Sequence, residues 1–130
     1  MNSRRRGKAP IDPGIAHLLE LNGTIQSQTV SGYWTKIQAH RVKTSSARPF
    51  GLKYSLTLHA PNGERLTGFD NAHPLRTAGH SKVRLAWDHF HCHAVDEPIV
   101  YEYRGADRLL IDFLNEINRV LKEVDHEQDH

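Results

Sequence analysis

Hydrophobic residues along the chain change their period, and each period predicts a different element. From Leu52 to Leu58 every second residue is apolar, with Lys53, Ser55 and Thr57 between them and His59 after. That alternation predicts a strand with one buried face. Leu109, Leu110, Phe113, Ile117, Val120, Leu121 and Val124 recur at three and four, which predicts an amphipathic helix of about five turns. Asp107 in its first turn and Lys122 toward its end suit the helix dipole. Tyr33–Val42, rich in aromatic and β-branched residues, reads as a strand. Leu85–Ala94 and Ile99–Tyr103 read as two more.

The turns set the pairing. Asn62-Gly63 predicts a tight hairpin between the alternating strand and Glu64–Ala72. With those two residues as the loop, Pro61 pairs with Glu64 and His59 with Leu66. Leu58 then faces Thr67, Leu56 faces Phe69, Thr57 meets Gly68 and Ser55 meets Asp70. Phe69 goes to the core and Asp70 to the polar face. Near the start, Ile15, Leu18 and Leu19 fit a short helix. Ala16–Leu21 followed by Asn22-Gly23 also fits a hairpin strand, returning over Thr24–Val30, and the turn signal favours the hairpin. Residues 74–84 hold Pro74, Gly79, Arg76, His80, Lys82 and Arg84 and read as a loop, either solvated or a basic flap that reaches phosphates. The expected fold is α+β: an antiparallel sheet of about five to seven strands backed by one C-terminal amphipathic helix.

A chain of 130 residues makes one domain. Residues 14–124 are expected to form it, after a flexible basic arm over 1–13 and before a frayed tail over 125–130. No apolar run approaches the ~20 residues of a membrane helix, so no membrane partner is expected. The single cysteine excludes an internal disulfide, so nothing suggests an oxidising compartment, and the default expectation is a cytoplasmic location. Net charge is only +2, which permits a nucleic-acid partner without demanding one.

Histidine changes this picture. Five of the ten histidines lie between His73 and His93. On a strand, His89, His91 and His93 share one face, with Asp88, Phe90 and Cys92 on the other. Imidazoles titrate near neutral pH, so a pair can act as base and acid on a phosphodiester. RNA cleavage needs a base for the 2′-hydroxyl, an acid for the 5′-oxygen and a cation for the charge that develops. His89 and His91 fit the proton roles, with Asp70 orienting one imidazole and Arg76, Lys82 or Arg84 supplying the charge. This scheme needs no cofactor. The same His-x-His spacing also suits a divalent metal ion, with His89, His91 and Asp70 or His73 as ligands, in a His-rich nuclease or phosphodiesterase. A third reading is a structural row of surface histidines. Tyr33, Trp34 and Trp87 can stack bases, although aromatic side chains on strands more often fill a core. Cys92 reads as a small core residue.

KYSLTL, NGERLTGFDNAH, DHFH and LLIDFLNEINRVL follow one another in an order that resembles the TumE-like toxins of bacterial type II toxin–antitoxin modules. Their motifs are a tyrosine-bearing strand, G-[YF]-D-N, Asp-His-x-His and a helix with Leu-Leu-x-Asp-Phe. The likeness covers roughly residues 15–124. It implies a growth-inhibiting toxin acting on RNA and neutralised by a cognate antitoxin with a DNA-binding domain, and it leaves a homodimer open. On this chain the motif positions are Asp70, Asn71, Asp88, His89 and His91, with Asp88 as a further catalytic candidate. Asn71, His73, Arg76, Lys82 and Arg84 are the candidate substrate contacts. The non-enzymatic alternative is an RNA- or antitoxin-binding module. The long basic loop 74–84 and the N-terminal arm depart from the family pattern.

Overall fold

A computed structural model describes residues 12–72, 75–77, 84–86, 88–91 and 99–128, with backbone alone for 75–77, 84–86, 89, 91, 127 and 128. The chain runs α1 (Gly14–Glu20), β1 (Ile25–Ser27), β2 (Trp34–Arg41), β3 (Leu52–His59), β4 (Arg65–Asp70), β5 (Leu75–Thr77), β6 (Arg84–Ala86), β7 (His89–His91), β8 (Ile99–Val100) and α2 (Ala106–Gln128). A six-stranded sheet has the order β1-β2-β3-β4-β7-β8, and β5-β6 form a separate ribbon. All pairings are antiparallel. This is the α+β architecture the hydrophobic pattern predicts. Among the described residues no helix is long and apolar enough to cross a membrane.

The core lies between α2 and one face of the sheet. Leu52, Tyr54, Leu56 and Leu58 of β3 are buried, as are Leu109, Phe113, Ile117, Val120 and Leu121 of α2. Phe69 is the hinge of an aromatic cluster, with ring centroids 4.7 Å from Phe90, 4.9 Å from Tyr101 and 6.3 Å from Phe113. Asp12 accepts the Ala106 N–H at 3.2 Å on both carboxylate oxygens. A carboxylate from outside α2 thus occupies its N-terminus, where backbone N–H groups lack helical partners.

Ser55↔Asp70, Leu56↔Phe69, Thr57↔Gly68 and Leu58↔Thr67 pair as expected. The turn itself differs. Ala60 N–H donates to Glu64 O at 2.9 Å and Gly63 N–H to Ala60 O at 2.8 Å, so the loop is Pro61-Asn62-Gly63, with Gly63 at φ +90°. Ala60, not Pro61, meets Glu64, because proline has no N–H to give. His59 then pairs with Arg65, not Leu66, and a bulge at Leu66 restores the register by Leu58↔Thr67.

Further expectations are corrected. Gly14–Glu20 is a helix, not a hairpin strand, because Ile15 and Leu18 are both buried in the core, and only a helical spacing of three puts them on one face. Asn22-Gly23 still reverses the chain, but out of that helix: Asn22 Oδ1 accepts Ala39 N–H at 3.0 Å and Gly23 N–H donates to Ile37 O at 2.7 Å. The span 74–84 is not all loop, since β5 pairs with β6 through Leu75↔Ala86, Arg76↔Leu85 and Thr77↔Arg84. Leu85–Ala94 is accordingly not one strand. Its start belongs to the ribbon and His89–His91 to the main sheet. The helix continues to Gln128, past the last periodic apolar residue.

Candidate functional site

β3 alternates between two surfaces. Its even-numbered apolar residues and Tyr54 face α2. Its other residues face away, and the register extends that second face across the sheet. One row runs Gln38, Ser55, Asp70 and position 89; the next runs Lys36, Thr57, Gly68 and position 91. Phe90, which packs on Phe69, occupies the core-side row. The two histidine positions therefore belong to the face that carries Asp70. Position 89 is the direct cross-strand partner of Asp70. Asp70 Oδ1 also accepts Ala72 N–H at 3.2 Å, a local turn that ends β4.

His40 and Lys53 are exposed partners in adjacent strands, and a shallow depression of about 310 Å³ lies among Gln38, His40, Lys53, Tyr54, Ser55 and Ala72. Gly68 keeps the row between Thr57 and position 91 low. A Cβ there would meet Leu56 O at 2.8 Å and Thr57 Cγ2 at 3.0 Å.

The α2 side carries a second polar group, at the end of the sheet. A cleft of about 150 Å³ is lined by Arg48, Pro49, Phe50, Leu52, Tyr54, Asn71, Asp88 and Tyr103. Tyr54 donates its hydroxyl to Asp88 Oδ1 at 2.6 Å. Burial, with the Asp88 carboxylate beside it, raises the Tyr54 pKa far above the ordinary phenol value, so Tyr54 is a donor at any physiological pH. Tyr103 stacks on Tyr54 at 5.8 Å and gives its hydroxyl to Asp12. Asn71, 4% exposed, accepts Tyr54 N–H at 2.9 Å and donates to Leu52 O at 2.8 Å. Arg48 donates through Nη2 to Asn71 O at 2.9 Å and Ala72 O at 3.0 Å. This cleft is tied together by its own hydrogen bonds.

The candidate residues thus divide. Asp70 and the backbone positions of His89 and His91 come together on the open face. Asp88 lies on the other side of the sheet, with Tyr54, and Asn71 commits its amide to the β3 backbone. Arg76 and Arg84 are placed on the β5-β6 ribbon by their backbones. His73, Lys82, Trp87, Cys92 and His93 lie outside the described residues. Among the described residues no three His, Cys, Asp or Glu side chains form a metal-binding group. Sequence reading passed over Arg48, Tyr54 and Tyr103. Tyr54 carried a signal, as a large polar-tipped residue on the buried parity of an otherwise leucine-lined strand. Arg48 carried none, because its carbonyl partners are 23 and 24 residues away.

The family model described as Toxin TumE matches residues 16–121, and the chain belongs to that family. No curated protein and no solved structure matches it.

Proposed function

We propose that this TumE-family chain is the toxin of a type II toxin–antitoxin module and acts as a metal-independent endoribonuclease. The observation that carries the reading is the β4-β7 register, in which Asp70 faces His89 and Gly68 faces His91. Two imidazoles one residue apart, ~6.5 Å between Cα atoms, straddle a phosphodiester laid on the open face. One removes the 2′-hydroxyl proton. The freed oxygen attacks phosphorus, and the other imidazole protonates the departing 5′-oxygen, leaving a 2′,3′-cyclic phosphate and a 5′-hydroxyl. Asp70 fixes the tautomer and orientation of His89. Lys36 and Lys53, with Arg76, Lys82 and Arg84 where they reach, supply positive charge to the phosphorane. Asp88 is a positioning residue: its bond from Tyr54 anchors the chain just before His89. The cognate antitoxin, carrying a DNA-binding domain, blocks this cytoplasmic activity.

Incubating total RNA with purified protein, with and without a chelator, tests the reading. Cleavage unaffected by the chelator and absent from folded His91→Ala supports it. Cleavage that the chelator stops, or that folded His91→Ala retains, overturns it.

A further inference from the structure

The open face has an aromatic corner that neither the core nor the proposed chemistry uses. Trp34 of β2 and His59 of β3 are register partners, and their rings stack with centroids 4.1 Å apart and planes 10° from parallel. Both ring nitrogens of His59 are engaged, Nδ1 with Gly63 O at 3.0 Å and Nε2 with Thr57 Oγ1 at 2.8 Å. The imidazole is therefore held in place and supports the indole from one side. On the other side, the register partner of Trp34 is Ser27, whose small side chain covers little of an indole face. Ile25, on the same face, is 64% exposed. Trp34 is half-buried on the side of the sheet opposite the core, with an edge strand of only three residues beside it.

The surroundings are cationic. Lys36 is two residues along β2, and Arg65 pairs with His59. The Arg65 Nε is covered and has no hydrogen-bond partner among the described residues. The described residues of this face include Lys36, Lys53 and Arg65, with the Asp70 carboxylate in a neighbouring row. A flat aromatic surface beside positive charge recognises a base and its phosphate together.

We infer that the Trp34–His59 stack is a base-stacking subsite for single-stranded RNA, set apart from the cleavage centre on the same sheet face. The inference rests on the ribonuclease reading for its substrate and deepens it. Position 91 shares a row with Thr57, two residues from His59 along β3. Strand geometry then puts the stack roughly 12–16 Å from position 91. That exceeds the reach of one nucleotide, so the subsite acts on oligonucleotides and not on dinucleotides. Unpaired bases are required, since a duplex buries its base faces.

The test uses a non-cleavable probe, so binding is read independently of cleavage. A fluorescein-labelled 2′-O-methyl octauridylate is titrated against wild-type protein, Trp34→Ala and Trp34→Phe, with 2′-O-methyl UpU as the short control. Melting curves establish that each variant is folded. Trp34→Ala should weaken octamer binding about ten-fold or more and leave UpU binding unchanged. Trp34→Phe should recover most of the octamer affinity, a rescue that loss of general stability would not give. If neither variant folds, the fluorescence of Trp34 alone, read in Trp87→Phe protein with unlabelled oligonucleotides, decides. Quenching by the octamer but not by UpU or duplex RNA supports the subsite. Equal response to all three, or octamer affinity within about two-fold of wild type in folded Trp34→Ala, overturns it. Trp34-dependent octamer binding by a wild-type protein that cuts no RNA would retain the subsite and discard the ribonuclease reading.

Discussion

Tyr54 and Ser55 are neighbours on β3, yet the two faces they belong to handle polar groups differently. On the Tyr54 side, Asp88 receives the phenol, Asn71 closes on the β3 backbone, and Arg48 binds the carbonyls that follow β4. On the Ser55 side, Gln38, His40 and Lys53 are exposed and add nothing to the core. Buried polar groups need partners, and removing one leaves the other to bear a desolvation cost. Exposed cations on a strand need none. Polarity on the helix side is thus part of folding, and polarity on the open side is not.

The sharpest break of this comparison is in activity. His91→Ala should lower RNA cleavage by about 10²–10⁴-fold with melting temperature nearly unchanged. Tyr54→Phe should do the reverse. Its loss should cost about 1–3 kcal/mol of stability, while the folded fraction keeps far more activity than His91→Ala. Urea unfolding of each variant, paired with initial cleavage rates, separates the two outcomes. A Tyr54→Phe variant that is fully stable but inactive would move the chemistry to the cleft.

The sequence made the open face legible and left the cleft hidden, for a physical reason. Alternation along β3 and the Asn62-Gly63 turn are local, and together they place Asp70 opposite Ser55 and Phe69 in the core. The register held although the loop was one residue longer, because a bulge at Leu66 absorbed the difference. The cleft joins residues from the loop before β3, from β3, from the ends of β4 and β7 and from the segment after β8. Nothing local marks such convergence. The Asp-Asn pair of the family motif illustrates the limit: neighbours in sequence, they split between the faces, Asp70 to the open side and Asn71 into the structure. Asp112 of the Leu-Leu-x-Asp-Phe motif is likewise an anchor. It accepts the Tyr101 hydroxyl at 2.6 Å and pairs with Arg108 at 3.0 Å.

Alkaline pH should weaken the helix side alone. Burial first, and then bonds to Asp88, Asp112 and Asp12, raise the pKa values of Tyr54, Tyr101 and Tyr103 above the ordinary phenol value. The folded protein therefore holds these protons more tightly than the unfolded chain does. Their contribution to stability is complete below the unfolded value of about 10 and is lost as pH rises beyond it. Denaturation followed from pH 8 upward should show stability falling above about 10, less steeply in Tyr54→Phe. Equal slopes for wild type and Tyr54→Phe would show that the Tyr54–Asp88 bond is not what ties this side together.

The smallest effect expected is at the far end of the tyrosine cluster. Asp12 accepts the first N–H of α2 and the Tyr103 hydroxyl, while its own carbonyl accepts Ile15 N–H at 3.2 Å. Only the first two contacts use the side chain. Asp12→Ala should therefore cost about 1 kcal/mol, the usual value of a lost cap. Water can replace it at Tyr103, which is only partly buried. Tyr103→Phe should cost less still. The double variant should fall short of the sum by about 0.5 kcal/mol or more if the two groups act as a pair. Strict additivity in urea unfolding would separate the helix cap from the tyrosine cluster. RNA cleavage should be unaffected throughout, since neither residue lies on the face that carries Asp70.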